Sequence, residues 1–171
     1  MHFLNSFRCA FRGIVYCINH ERNMRIHTVA ALYVFAFSFF FHLSSSEYAA
    51  LFLTFAAVIM GELFNTSAEA LCDRVARHFD PAVRNVKDIA SGAVLTGAFF
   101  AVCVAVCLFG KPEGFARMGK YFVSHPAMAV VLAAVTAASV VFIALGPLGI
   151  RDRFRKRKAE TESRNGKEGT P

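Results

Sequence analysis

An apolar run from Tyr48 to Met60 passes straight into Gly61-Glu62-Leu63-Phe64-Asn65-Thr66-Ser67-Ala68-Glu69-Ala70-Leu71-Cys72-Asp73, and no Gly or Pro follows Gly61 in this stretch. That continuity limits the fold more than any other feature of the chain. At about 100° of rotation per residue, Glu62, Asn65, Thr66, Glu69 and Asp73 share an arc of roughly 100° on one helix face. Leu63, Phe64, Ala68, Ala70 and Leu71 point elsewhere. A largely apolar helix therefore carries a single stripe of acids, an amide and a hydroxyl. An ionised side chain at mid-membrane costs about 2.5–3.5 kcal/mol even on a lenient insertion scale. Several of them facing lipid would be hard to insert, so the stripe must face protein, water, a metal ion or the headgroup layer. The plainer alternative is the polar end of a helix leaving the bilayer. Acids inside a membrane segment are functional by default, and the spacing favours that reading.

Of the 171 residues, 56% are hydrophobic and only 18% are charged, yet the net charge is +7. Such a chain is too apolar for an ordinary soluble domain and long enough for several membrane spans. Anionic headgroups and the positive-inside rule explain the basic balance more simply than nucleic acid does. Cys9, Cys17, Cys72, Cys103 and Cys107 form no CxxC pair and no metal-finger spacing. They read as reduced or lipid-buried thiols. Arg8 and Arg12 interrupt the N-terminal stretch, which reads as no signal peptide.

Phe3, Leu4, Phe7, Phe11, Ile14, Val15 and Ile18 recur at helical spacing with Arg8 and Arg12 off the stripe, the pattern of an amphipathic helix lying in the interface. The polar cluster His20 to His27 then abuts an apolar run from Thr28 to Leu43, long enough for a short span. Arg22 and Arg25 mark its cytoplasmic end. Glu21 reads as an ion-pair partner of Arg25, four residues on, or as a companion of the 62–73 acids. His20 and His27 lack a ligand-spaced partner and suit interfacial hydrogen bonding. Ser44 to Glu47 carries no Lys or Arg and reads as an outer loop. Tyr48 to Phe64 returns inward, and Arg74, Arg77, Arg84 and Lys87 again mark cytoplasm.

Phe79-Asp80-Pro81 breaks the chain, since Pro81 holds Asp80 out of helical geometry. A third span, Ile89 to Phe109, bears small residues at Gly92, Ala93, Gly97 and Ala98 that permit close helix approach. Ser91 there serves either as a substrate contact or as a back-bond to its own helix. Gly110 to His125 reads as a loop and Pro126 to Ile150 as a fourth span. The basic tail from Arg151 to Pro171 reads as a disordered topology anchor, with anionic-lipid binding as the sharper alternative. The expected fold is an all-α membrane protein. Residues 1–110 form an amphipathic surface helix and a three-helix core, 111–150 a loop with an extra transmembrane helix, and 151–171 a cytoplasmic tail. Both termini are expected on the cytoplasmic side of the cell's inner (plasma) membrane.

Acids, an amide and a Lys-Asp pair thus converge at one membrane surface. Paired carboxylates hold Mg²⁺, whose ligands commonly include substrate phosphates. Another carboxylate can act as general base toward a hydroxyl, and a lysine can neutralise phosphate. Phosphoryl transfer asks chiefly for positioning and charge stabilisation. The residues alone support a metal-dependent reaction on a lipid headgroup. GxxxxGK[ST], HRD and DFG are all absent. A transporter fits less well, because the acids sit at one surface and no broken helix pair lies at mid-bilayer. A non-catalytic scaffold is the remaining class.

Three blocks carry a resemblance: Glu21-Arg22-Asn23-Met24-Arg25-Ile26-His27; Glu62 to Glu69 with Asp73; and Lys87-Asp88-Ile89-Ala90-Ser91-Gly92-Ala93-Val94. In this order and spacing the chain resembles the small bacterial integral-membrane diacylglycerol kinase / undecaprenol kinase family, over about residues 3–110. The first two blocks look more like the undecaprenol kinase branch. The resemblance implies a homotrimer with sites shared between subunits, using MgATP to phosphorylate a lipid hydroxyl. It matches Glu62 to the general base, Glu21 and Glu69 to the Mg²⁺ ligands, and Asn65 to an orienting residue. Lys87 and Asp88 match the nucleotide-contacting pair, and Asp73 a supporting acid. A carboxyl among apolar groups is the better proton acceptor, which suits Glu62 as base. Ser67 departs from the alanine usual in the motif, and the fourth helix and tail are additions to the pattern. An intact set of base, metal ligands and Lys-Asp pair favours a kinase over a degenerate scaffold.

Overall fold

The computed structural model describes residues 2–76 and 78–168, so Met1, Arg77 and residues 169–171 lie outside the description. Six helices follow one another: α1 (His2–His20), α2 (Arg22–Ser38), α3 (Ser45–Val75), α4 (Pro81–Phe109), α5 (Pro112–Ser124) and α6 (Pro126–Glu168). No strand occurs among the described residues. α3, α4 and α6 over Pro126–Arg153 are each long and apolar enough to cross a membrane. The chain is an all-α membrane protein.

The start signal of α3 lies inside the expected outer loop. Ser44 and Glu47 form a reciprocal capping box, with Glu47 N–H donating to Ser44 Oγ at 3.3 Å and Ser44 N–H to Glu47 Oε2 at 2.7 Å. From there the helix runs unbroken through Gly61 to Val75, so the polar stripe is part of the span, as its continuity predicts. The break at Asp80-Pro81 is also present. Asp80 Oδ1 accepts from Ala82 N–H at 2.8 Å, and Pro81 opens α4 where its missing donor is no loss. α3 and α4 pack antiparallel, Gly61 facing Val94 and Asp73 facing Lys87.

Three features differ from expectation. The apolar run Thr28–Leu43 is not one helix. α2 has 17 residues and ends at Ser38, a length of about 25 Å. Ser38 Oγ turns back to Phe35 O, Phe40 and Phe41 close tighter turns, and His42 takes φ 48°. α2 therefore falls just short of the other three as a span. The expected loop 110–125 contains α5, an amphipathic helix opened by Pro112. Arg117 Nε donates to Phe40 O at 2.7 Å, and Lys111 pairs with Glu47 at 2.6 Å. Gly114 lies so close to the Phe41 ring that a Cβ would meet it at 2.3 Å. Finally, α6 is bent at Gly146 (φ 66°, ψ 170°) before Pro147, and its backbone stays helical to Glu168, where disorder was expected. Arg, Lys and Glu dominate that end and are strong helix formers.

The apolar core gathers at the far end of the bundle from the stripe. Phe41, Leu43, Leu51 and Leu108 are buried there, with Phe109 and Phe115 meeting the Phe41 ring edge-on at 5.0 Å. The opposite end, where α1, the start of α2, the end of α3 and the start of α4 meet, is built from polar side chains.

Candidate functional site

The stripe of α3 turns into the protein. Glu62 is 1% exposed, and Asn65 and Thr66 are each 7% exposed. Each residue meets a different neighbour. Thr66 Oγ1 donates to Glu62 O at 2.8 Å and lies 3.0 Å from Cys17 Sγ, which ties α1 to the stripe. Burial pushes the Cys17 thiol up from its ordinary value, so it serves as packing and not as a nucleophile. Asn65 Nδ2 donates to Glu69 Oε1 at 3.0 Å. Ser91 Oγ of α4 reaches Asn65 Oδ1 at 3.4 Å, so Ser91 faces the stripe and not its own backbone.

Across α2, His27 Nε2 stands 3.3 Å from Glu62 Oε1. The approach is close enough for an ion pair but is not aligned for a hydrogen bond, and Oε1 is a buried atom with no hydrogen-bond partner. Glu21 and Glu69 both lie near enough to act electrostatically on Glu62. Glu21 caps α2 in an extended conformation, with its carboxylate not used on the helix's own N–H groups. Glu21 and Glu69 thus add negative charge around Glu62. The described residues hold no ready-made cluster of three His, Cys, Asp or Glu ligands. Mg²⁺ does not require one, since it takes one or two carboxylates and fills its shell with water and substrate phosphates. The donor set suits that ion.

The Lys-Asp pair separates. Lys87 Nζ is hydrogen-bonded to Asp73 Oδ1 at the end of the stripe and feels Glu69. Asp88 instead points out, 3.8 Å from Arg84 one turn earlier. The expected Glu21–Arg25 ion pair is absent among the described residues. Arg25 is buried and donates to carbonyls of Ile18, Asn19 and Ile143.

A family model for prokaryotic diacylglycerol kinase matches residues 8–109. The chain belongs to that family. Among curated relatives, a diacylglycerol kinase of Synechocystis sp. is 38% identical over 112 residues, 65% of this chain and 64% of that protein. An undecaprenol kinase of Bacillus subtilis is 33% identical over 107 residues, 63% of this chain and 87% of the relative. The family match ends at the last residue of α4, so α5 and α6 lie outside the residues that match.

Two residues beside this family member's candidate site were read differently from the sequence. His27 faces Glu62, and its signal was Met24, one turn before it and 1% exposed, which marks the inward face of α2. Arg25 was read as a topology marker because its partners are backbone atoms of distant helices. Removing a partner of a buried charged group costs about 1.5–3 kcal/mol. We therefore expect His27→Ala to lower turnover about 10- to 100-fold with little change in KM for the nucleotide. Wild-type turnover in this variant would remove His27 from the site.

Proposed function

We propose that this chain is a lipid kinase that transfers the γ-phosphoryl group of ATP to the hydroxyl of a membrane lipid alcohol, with undecaprenol as the acceptor. The observation that carries the reading is Glu62. A buried carboxylate with an unpartnered oxygen stands 3.3 Å from His27, and His27 lines an apolar cavity between α2, α3 and α4. That cavity has a volume of about 250 Å³ and is lined by His27, Ala31, Val34, Phe55, Val58 and Ala101. A lipid chain laid there with its hydroxyl at His27 would reach the neighbourhood of Glu62.

The reaction then needs few parts. Glu62 takes the hydroxyl proton as the lipid oxygen bonds to the γ-phosphorus, the bridging P–O bond breaks, and ADP leaves with that electron pair. His27 holds the Glu62 carboxylate toward the cavity. Asn65 fixes Glu69 through its amide hydrogen bond. Lys87, anchored by Asp73, supplies positive charge for the nucleotide phosphates, and Asp88 completes the nucleotide contact. Glu21 and Glu69 would hold Mg²⁺, which would supply positive charge against the phosphates. Glu69 is half-buried and Asp73 and Asp88 are exposed. That opening suits a site completed by a neighbouring subunit in a homotrimer. The basic residues flanking these helix ends support a cytoplasmic position for this face and for both termini, at the inner membrane.

Diacylglycerol is the second acceptor, favoured by the higher identity to the Synechocystis enzyme. Purified protein in mixed micelles, given labelled MgATP with undecaprenol and diacylglycerol in parallel, decides between them. Preferred labelling of undecaprenol supports the proposal, and preferred labelling of diacylglycerol transfers it to lipid turnover. Labelling of neither by folded protein leaves a scaffold.

A further inference from the structure

Arg25 is 7% exposed and meets no carboxylate among the described residues. Its guanidinium spends itself on three carbonyls. Nη1 donates to Ile18 O at 3.0 Å and to Asn19 O at 3.2 Å, both in the last turn of α1, where carbonyls have no helical donor. Nε donates to Ile143 O of α6 at 3.1 Å. In an unbroken helix that carbonyl would receive the N–H of the residue four places on, which is Pro147 and has none. Arg25 thus supplies the hydrogen bond that the proline withholds. Gly146 is fitted to the same purpose. Its φ of 66° favours glycine, and a Cβ there would stand 2.9 Å from Arg25 Nη1. The Gly146-Pro147 bend is a seat for one guanidinium, and it lies beyond the part of the chain that matches the family.

The consequence reaches the site. Arg25 grips the two residues at positions 18 and 19, which lead into Glu21 at the α1–α2 turn, where Glu21 N–H donates to Cys17 O at 2.8 Å. We propose that Arg25 is a positioning residue: by bridging the end of α1 to the bend of α6 it fixes the turn that presents Glu21, and so makes α6 a support of the metal-binding face. The kinetic part of this proposal rests on the kinase reading; the helix-docking part does not.

The test uses full-length Arg25→Lys, Arg25→Met and Pro147→Ala proteins and the Arg25→Met/Pro147→Ala double variant. Two quantities are followed, the midpoint of thermal unfolding and the Mg²⁺ concentration for half-maximal turnover. Lysine keeps the charge but lacks the planar fork that serves two helices at once. Arg25→Lys is expected to raise the Mg²⁺ half-saturation about tenfold, the scale of a lost supporting contact to a metal ligand, with turnover at saturating Mg²⁺ within about twofold. Its unfolding midpoint should fall by about 5 °C. Pro147→Ala restores an N–H to Ile143 O, so the midpoint loss caused by Arg25→Met should be at least halved in that background.

Additive midpoints in the cycle, or wild-type behaviour of Arg25→Lys in both quantities, would overturn the proposal. A lowered midpoint with unchanged Mg²⁺ dependence would overturn the positioning role and leave a structural tie. If Arg25→Met does not fold, Arg25→Lys with and without Pro147→Ala supplies the same cycle. If the wild-type protein phosphorylates no lipid, the kinase reading fails and the unfolding cycle alone decides whether Arg25 docks α6.

Discussion

Glu62→Gln is expected to remove lipid phosphorylation by about 10³-fold or more, while the protein stays folded and still binds nucleotide. General-base contributions lie at about 10²–10⁴-fold. This base sits where solvent cannot replace it, since its side chain is 1% exposed. Glutamine keeps the shape and the neighbours of the glutamate but cannot accept the lipid's proton. The stability side of the prediction comes from the same geometry. Oε1 has no hydrogen-bond partner, and Glu21 and Glu69 stand near with the same charge. Removing a charge from that place relieves repulsion and breaks no hydrogen bond, while it gives up the 3.3 Å approach of His27, so the unfolding midpoint should change little. Loss of activity with loss of folding would mean that Glu62 is a structural residue. Near-wild-type turnover would end its assignment as base.

Glu69→Gln should act on the metal and not on the proton. The amide can still take the Asn65 hydrogen bond, 3.0 Å long in the wild-type protein, so the local geometry of α3 is kept. What is lost is one of the two negative oxygen ligands assigned to Mg²⁺. Half-maximal turnover should then need about tenfold more Mg²⁺ or more, a loss of about 1.4 kcal/mol in affinity at the least. Lys87, which feels Glu69 and is bonded to Asp73, would keep its place through Asp73. A Mg²⁺ titration of turnover that superimposes on wild type would take Glu69 out of the metal site. Glu21→Gln is the natural companion, because Glu21 reaches the same face from another helix.

Much of the candidate site was legible because one helical period carries it. Glu62, Asn65, Thr66, Glu69 and Asp73 share a face whatever the tertiary structure, and cost alone forbids that face to lipid. The break at Asp80-Pro81 and the continuity of α3 were legible for the same reason, since local backbone chemistry decides both. His27 against Glu62 was not, because it depends on how α2 crosses α3. Ser91 was open between two roles until the packing of α4 turned it toward Asn65. Lys87 and Asp88 are adjacent in sequence, yet successive helix positions face about 100° apart. One reaches Asp73 and the other Arg84. The end of α2 at Ser38 was hidden by an apolar run that continues to Leu43, where composition does not report that the backbone has left the helix. Arg25 was the hardest of all, since its partners are carbonyls, and every residue has one.

Residues 110–125 show the converse. Pro112 at the first helical position, with Phe115, Met118 and Phe122 at helical spacing, signalled an amphipathic helix. The sequence reads there as a loop that carries three cations, Lys111, Arg117 and Lys120. In the structure two of them have local work: Lys111 pairs with Glu47 at the start of α3, and Arg117 caps a carbonyl left free where α2 ends. Their positive charge is therefore compatible with the side of the membrane opposite the acidic stripe.

The account stands most directly on transfer of phosphate from γ-labelled ATP into the lipid phase by wild-type and Glu62→Gln protein, measured side by side in mixed micelles with undecaprenol and diacylglycerol, with and without Mg²⁺. It predicts Mg²⁺-dependent label in one of the two lipids with the wild-type protein and none above background with Glu62→Gln. Label that appears equally with both proteins, or with neither when both are folded, would contradict it.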